Sequence, residues 1–376
     1  MPTGSSDRIN IGVLAERMAG ERRVALIPSD IGKLISKAGF VIESGAGHEA
    51  GFDDNTYVKA GARIADASAV LEDCEVVVKV RPPGRSETPG AGRTLISLGG
   101  YDSNLTEFLR KRSVIHLALE RLPRTTRAQP MDVLSSQASI AGYASVLEGA
   151  RALDILLPML TTAAGTIKPA RMIALGAGVA GLQAIATARR LGAVVHGFDV
   201  RAAAHEQVES LGAKFVSVDN TDIGAGEGAG GYAREQSRDQ QARLRRALSA
   251  HLATMQLVIA TAQIPGRPAP LLIDREALGM MQPGAVIVDL AAETGGNCEF
   301  TRPDETVTVN GVSIMGPTNL PSLVARDASR FFSSNIRSLL TYLLEGSSRL
   351  NLDASDPIGS ALLAGQHATN TSVAAA

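Results

Sequence analysis

Tryptophan is absent from the 376 residues, and aromatic residues together make up 3% of the chain. So few rings argue against the stacking platforms that bind single-stranded nucleic acid. There are two cysteines, Cys74 and Cys298. They lie too far apart in sequence for a paired metal-ligand motif, exclude a disulfide-stapled scaffold and fit a reduced compartment. Neither sign of charge dominates: 37 Lys and Arg against 38 Asp and Glu leave a net charge of −1. The molecule as a whole therefore has no field that would draw it to nucleic acid or anionic lipid. No apolar run reaches the ~18 residues a membrane helix needs. The nearest, ILLPMLTTAAGTI from Ile155, is short and contains Pro158. The opening MPTGSSDRINIGVLAERMAG carries charges where a secretory signal would need its apolar core. A chain with no signal, no span of its own and no metal site is expected.

What is present is an ordinary globular composition, 45% apolar and 20% charged, long enough for two domains. RINIGVLAE, FVIES, EVVVKV, TLISLG and VIHLALE read as strands. SDIGKLISKAG, DNTYVKAGA and NLTEFLRKR, between them, read as helices, the first with Ser29 or Asp30 as its N-cap and Gly39 closing it. Such alternation implies a parallel sheet with helical crossovers. A long helical pattern starts near Ser139, and the alternation then restarts with RMIALGA, VVHGFDV, KFVSV, LVIATA and AVIVDLAA as strands. The glycine-rich NTDIGAGEGAGGYAREQ, from Asn220, reads as a long loop. The helical pattern in ARDASRFFSSNIRSLLTYLLEG has no strand partner in the second half, so it is expected to return to the first domain. The fold class that follows is α/β: two Rossmann-like, doubly wound parallel-sheet domains, the first discontinuous. The expected boundaries are 1–134 with 317–350, then 135–316, and a fraying tail at 351–376.

Gly176, Gly178 and Gly181 form GxGxxG between the strand RMIAL and a helix. The first glycine allows a tight turn, the second a close approach to a pyrophosphate, and the third helix–strand packing. The unpaired N–H groups at the helix start would meet the phosphates. Asp199 ends the next strand, where a ribose-binding acid is expected. A carboxylate there would repel a 2′-phosphate by about 4 kcal/mol at 4 Å and an effective dielectric near 20, favouring NAD(H) over NADP(H). Arg201, two residues on, is a residue type that would offset that repulsion.

From TTAAGTIKPARMIALGAGVAGLQAIATARRLGAVVHGFDV at Thr161, and from LPRTTRAQPMDVLSSQ, AGGYARE, IPGRPAP, DLAAETGGNCE and GPTNLPS, the chain resembles the NAD(H)-binding subunit of proton-translocating NAD(P)+ transhydrogenase. Its sister branch is alanine dehydrogenase. The resemblance implies a homodimer lying on the cytoplasmic face of the inner membrane, with no span or nucleic-acid partner of its own. It also implies membrane-embedded and NADP(H)-binding partner subunits that carry proton translocation. It places Arg124, Gln129, Asp132 and Ser135 around the nicotinamide, with Pro130 and Met131 beside them. Ala177, Val179 and Ala180 within the glycine loop, Val200 and Arg201 after Asp199, and Gln241 and Gln263 are expected against the same nucleotide. Gly231 and Tyr232 match a loop that closes over it.

Chemically this polar stretch suits a carboxamide, which offers one acceptor and two donor hydrogens. Arg124 can serve the acceptor, Asp132 can accept from the NH2, and Ser135 can do either. Hydride transfer between nicotinamides needs positioning and no general base. The plainer reading of these residues is a polar loop with an N-cap at Ser135 or Ser136. Two other functions compete. An alanine-type dehydrogenase would use Arg23 and Lys79 as a carboxylate clamp, but its proton-shuttling histidine is missing around Ser97. A non-catalytic NAD-binding scaffold would need only the glycine loop. His116 and His196, inside apolar strand patterns, are expected to be packed strand residues.

Overall fold

The computed structural model describes residues 8–217, 238–264, 266–352 and 355–363. The chain divides into two compact units, one made of residues 1–137 and 321–376, the other of 138–320.

In the first unit, six strands pair entirely in parallel: β1 (Asn10–Val13), β2 (Gly39–Glu43), β3 (Arg63–Ala65), β4 (Val76–Val78), β5 (Thr94–Ser97) and β6 (Ile115–Ala118). Their order is β3-β2-β1-β4-β5-β6, the doubly wound order in which the chain reverses direction between β1 and β4. Apart from the edge strand β3, the strands are short and almost wholly buried, as parallel strands covered on both faces must be.

Several local expectations give way to tertiary structure. The helix Pro28–Leu34 starts with Pro at its first position and has Ile27, not Ser29 or Asp30, as its N-cap; Gly39 opens β2. Asp30 is instead buried, where it accepts hydrogen bonds from Ser333 Oγ (2.8 Å) and Arg337 Nη1 (2.7 Å). These bonds tie the long helix Ala325–Leu343 into this unit. The stretch expected to fray also contributes. Asp356 caps the helix Pro357–Leu362 through the Gly359 N–H, and Ile358 and Leu362 are buried in the first unit's core. Two buried apolar side chains outweigh the small, polar composition that suggested disorder.

The second unit has a short antiparallel hairpin, β7 (Leu160–Thr162) with β8 (Gly165–Ile167), followed by a seven-stranded sheet. Its strands are β9 (Arg171–Leu175), β10 (Val194–Phe198), β11 (Lys214–Phe215), β12 (Leu257–Ala260), β13 (Val286–Asp289), β14 (Thr306–Val309) and β15 (Val312–Met315). The order is β11-β10-β9-β12-β13-β15-β14, parallel except for the edge pair β14–β15. The chain reverses between β9 and β12, so the crevice beyond their carboxyl ends is where a ligand belongs. His116 on β6 and His196 on β10 are both buried. No helix among the described residues is long and apolar enough to cross a membrane.

Candidate functional site

The glycine loop lies at the reversal point of the second unit. β9 ends at Leu175, and Gly176 turns the chain with φ +99°, a conformation that favours glycine. A Cβ on Gly181 would stand 1.8 Å from the Gly176 carbonyl oxygen, so the helix Val179–Arg190 approaches the turn only because position 181 carries no side chain. A Cβ on Gly178 would meet nothing within 4 Å. That open side, with the first N–H groups of a twelve-residue helix beside it, fits a pyrophosphate. Thr261, after β12, braces the turn by donating to the Gly176 carbonyl at 3.0 Å. Ala177 is buried, Val179 is exposed and Ala180 is partly exposed.

Asp199 follows β10 and reaches the loop directly: its Oδ2 accepts from the Ala177 N–H at 2.7 Å. Arg201 forks onto the same carboxylate, from Nε to Oδ1 (2.9 Å) and from Nη2 to Oδ2 (2.8 Å), while its backbone N–H donates to Oδ1 (2.9 Å). The acid expected to bind ribose and the arginine expected to offset it are therefore a closed ion pair. The acid's charge no longer repels a 2′-phosphate in the simple way the sequence suggested. Val200 is partly buried against the core. Gln263 is exposed beyond β12 and donates to the Leu290 carbonyl at 2.8 Å.

Two features of the site are not visible in the sequence motifs. Gly142 sits inside the helix Val133–Ala152, and a Cβ on it would come within 2.1 Å of the Ala180 carbonyl oxygen. This helix thus packs backbone to backbone on the first turn of the loop helix. A glycine interrupting a helical pattern was the available signal. Asp289, fully buried at the end of β13, accepts from Ala291 N, Asn297 N, Cys298 N and Thr301 Oγ. Burial pushes its carboxyl pKa up, against those four donors. Asn297 in turn holds both backbone groups of Ala262, next to Gln263. The motif DLAAETGGNCE is thereby a frame for the loop after β12.

The polar stretch of the first unit folds as a short 3-10 turn, Gln129–Met131, leading into the helix Val133–Ala152. That helix starts six residues ahead of Ser139, and its cap is Asp132 rather than Ser135 or Ser136. Asp132 Oδ1 accepts from the Ser135 N–H (3.0 Å), and Oδ2 from Ser135 Oγ (2.5 Å). Aspartate and serine are comparable caps, so sequence could not choose between them. Asn335 pins the turn by donating to the Pro130 carbonyl (2.8 Å) and accepting from Ser136 Oγ (2.6 Å). Arg124, Gln129 and Pro130 are exposed, and Asp132 and Ser135 are half-buried; the Met131 side chain belongs to the core. Gly231 and Tyr232 lie outside the described residues, as does the side chain of Gln241.

The reversal point of the first sheet, where a second ligand crevice would fall, is filled with charge. Lys79, 1% exposed in its side chain, bonds Glu87 Oε1 at 2.8 Å and approaches Glu16 Oε2 at 3.5 Å. Arg23 forks onto Glu21 and donates to Gln137, and Arg81 also reaches Glu21. Arg17 bridges Glu43 and Glu87. Burial alone would raise the carboxyl pKa values of Glu21 and Glu87. Bonds from Arg23 to the first and from Lys79 to the second overcome it and hold both below the usual carboxylate range. Arg23 and Lys79 are thus buried charges rather than an open clamp. Each is buried and ion-paired within the unit, so neither stands as a vacant cation in this structure.

The fold is shared with known proteins. Residues 12–141 match the alanine dehydrogenase/PNT N-terminal domain, and residues 145–370 the alanine dehydrogenase/PNT C-terminal domain. The chain is 45% identical over 345 residues to the first part of the NAD(P) transhydrogenase subunit alpha of Rhodospirillum rubrum, covering 89% of this chain and 90% of that one. It is 30% identical to an alanine dehydrogenase of Halomonas elongata, covering 86% and 84%. Among solved structures, transhydrogenase from Sinorhizobium meliloti superposes with TM-score 0.84 at 39% identity, covering 94% of this chain and 97% of that one. An L-alanine dehydrogenase superposes with TM-score 0.75 at 28% identity, covering 94% and 99%. With both domains matched and relatives this similar along most of its length, the chain belongs to the alanine dehydrogenase/PNT family.

Proposed function

We propose that this chain is the NAD(H)-binding component of a proton-translocating NAD(P)+ transhydrogenase. The observation that carries the reading is the glycine loop, clasped by Asp199 at the reversal point of a doubly wound sheet, in a chain 45% identical to a transhydrogenase alpha subunit. When bound, NAD(H) supplies or accepts the hydride; the residues of the chain hold it. Gly176, Gly178 and Gly181 with the start of the helix Val179–Arg190 take the pyrophosphate, and Asp199 takes the adenosine ribose. Arg124, Gln129, Asp132 and Ser135 fix the carboxamide so that one face of the nicotinamide stays open. The second nucleotide, NADP(H), and the proton path belong to partner subunits. The chain works as a homodimer held peripherally on the cytoplasmic face of the inner membrane.

The alanine-type alternative meets a physical obstacle. Its carboxylate clamp would need Arg23 and Lys79 free, and both are buried in internal ion pairs. A titration of the full chain with NADH, followed by ligand fluorescence, should saturate. L-alanine with NAD+ should yield no NADH. NADH formation from L-alanine would replace this reading with the dehydrogenase one, and absence of NADH binding would remove both.

A further inference from the structure

Resting on the NAD(H) reading of the glycine loop, we propose that Arg201 is a built-in competitor for the ribose face of Asp199. In this role it sets both the affinity and the selectivity of dinucleotide binding. An ionised carboxylate has about four acceptor positions. In Asp199 four bonds are made: Oδ1 accepts from Arg201 N and Nε, and Oδ2 from Ala177 N and Arg201 Nη2. Two of these are backbone bonds that fix the carboxylate against the glycine loop. The other two come from the guanidinium, one to each oxygen.

That division matters for what can replace the guanidinium. If only the Arg201 side chain swings away, one acceptor opens on each oxygen, and the backbone bonds keep both aimed as before. Two donors on adjacent atoms, one for each oxygen, are what a ribose cis-diol presents. The planar fork of arginine is therefore a stand-in for the diol. With its side chain 7% exposed and the guanidinium across it, Asp199 is closed to ribose until Arg201 leaves.

The same exchange discriminates between nucleotides. NADH takes the two acceptors and offers the guanidinium no phosphate in exchange. NADPH brings a phosphate to the 2′ position, which the tethered guanidinium can pair with. Arg201 thus works against NADH and in favour of NADPH, and Asp199 does the reverse. Removing Arg201 should shift the two affinities in opposite directions, an outcome that loss of packing would not produce.

The test is a pair of titrations, with NADH and with NADPH, on the full-length wild-type chain and on Arg201→Leu and Arg201→Met. Two apolar replacements guard against one failing to fold. Exchange of a charge-assisted fork for nothing should tighten NADH by about tenfold and weaken NADPH by at least as much. Arg201→Lys, which keeps the charge without the fork, should hold NADPH binding closer to wild type while still tightening NADH. Unchanged or weaker NADH binding in the folded apolar variants would overturn the proposal while leaving the glycine-loop site standing. A wild-type chain that binds no NADH would overturn both.

Discussion

Replacing Lys79 by Met tests whether the first unit's crevice is closed by charge. Lys79 Nζ lies 2.8 Å from Glu87, 3.5 Å from Glu16 and 3.1 Å from the Ala15 carbonyl, with 1% of the side chain exposed. Each carboxylate contact is worth on the order of 5 kcal/mol at an effective dielectric near 20, most of which offsets the cost of burying the charges. Met matches the volume but leaves the two carboxylates unequal. Glu87 keeps Arg17 and the Gly84 N–H, whereas among the described residues Glu16 keeps only the N–H groups of Val80 and Arg81 as hydrogen-bond donors. Breaking a buried pair from one side costs about 3–5 kcal/mol. At about 2–4 °C per kcal/mol for a domain of this size, the melting temperature should fall by roughly 6–20 °C. A pH signature separates this from simple loss of packing. Burial already raises the Glu16 pKa above its ordinary 4.5, with Lys79 opposing, and loss of Lys79 raises it further. The native state then binds a proton more readily than the unfolded chain, so stability falls as pH rises through that window. Urea denaturation should show the deficit of Lys79→Met relative to wild type shrinking from pH 8 toward pH 5. A deficit under 1 kcal/mol, or one that grows on acidification, would refute the charge-filled crevice.

Asp132→Asn and Gln129→Asn should slow hydride transfer in stopped-flow mixing far more than they weaken NADH binding; equal rates would remove both from the mechanism. Asp132→Ala should also cost about 1 kcal/mol in denaturant unfolding through the lost cap, and no stability change would contradict the capping geometry. Gly142→Val sets a side chain against the Ala180 carbonyl, so it should destabilise the chain by about 1–3 kcal/mol and weaken NADH in calorimetry. Unaltered affinity would show that this contact does not position the loop helix. Burial pushes His116 down to about 4 from 6.5, so the unfolded chain takes up a proton first as pH falls through that window, and stability is lost there by up to about 3 kcal/mol. His116→Asn should lose less between pH 7 and 4.5 than wild type, and parallel loss would contradict this. Glu21 and Glu87, whose pKa values are held low, contribute stability that is lost only below their ordinary 4.5.

The parts legible in the sequence were those whose signal is local. RMIALGAGVAG announces its strand, turn and helix within a dozen residues, because each glycine answers a steric demand set by its neighbours. Apolar strands such as EVVVKV are equally plain. What sequence hid was pairing over distance. Glu16, Glu21, Glu43 and Glu87 look like solvated carboxylates until the topology brings Arg17, Arg23, Lys79 and Arg81 against them. Arg201 was visible two residues after Asp199 as an offsetting charge, but only the fold shows its guanidinium closing on both carboxylate oxygens. The helix start at Asp132 lay beyond reach for a different reason: Asp132, Ser135 and Ser136 are comparable caps, so local sequence does not choose among them.

The most direct test of the central claim follows the transferred atom. The full chain, mixed with an NADP(H)-binding partner domain, is given NADH deuterated at the transferable C4 position together with NADP+. Direct passage between the two rings predicts NADPH carrying the deuterium, with none lost to solvent, and no transfer when the partner is left out. NADPH that carries solvent hydrogen instead, or no NADPH with both components folded and both nucleotides bound, would contradict the account.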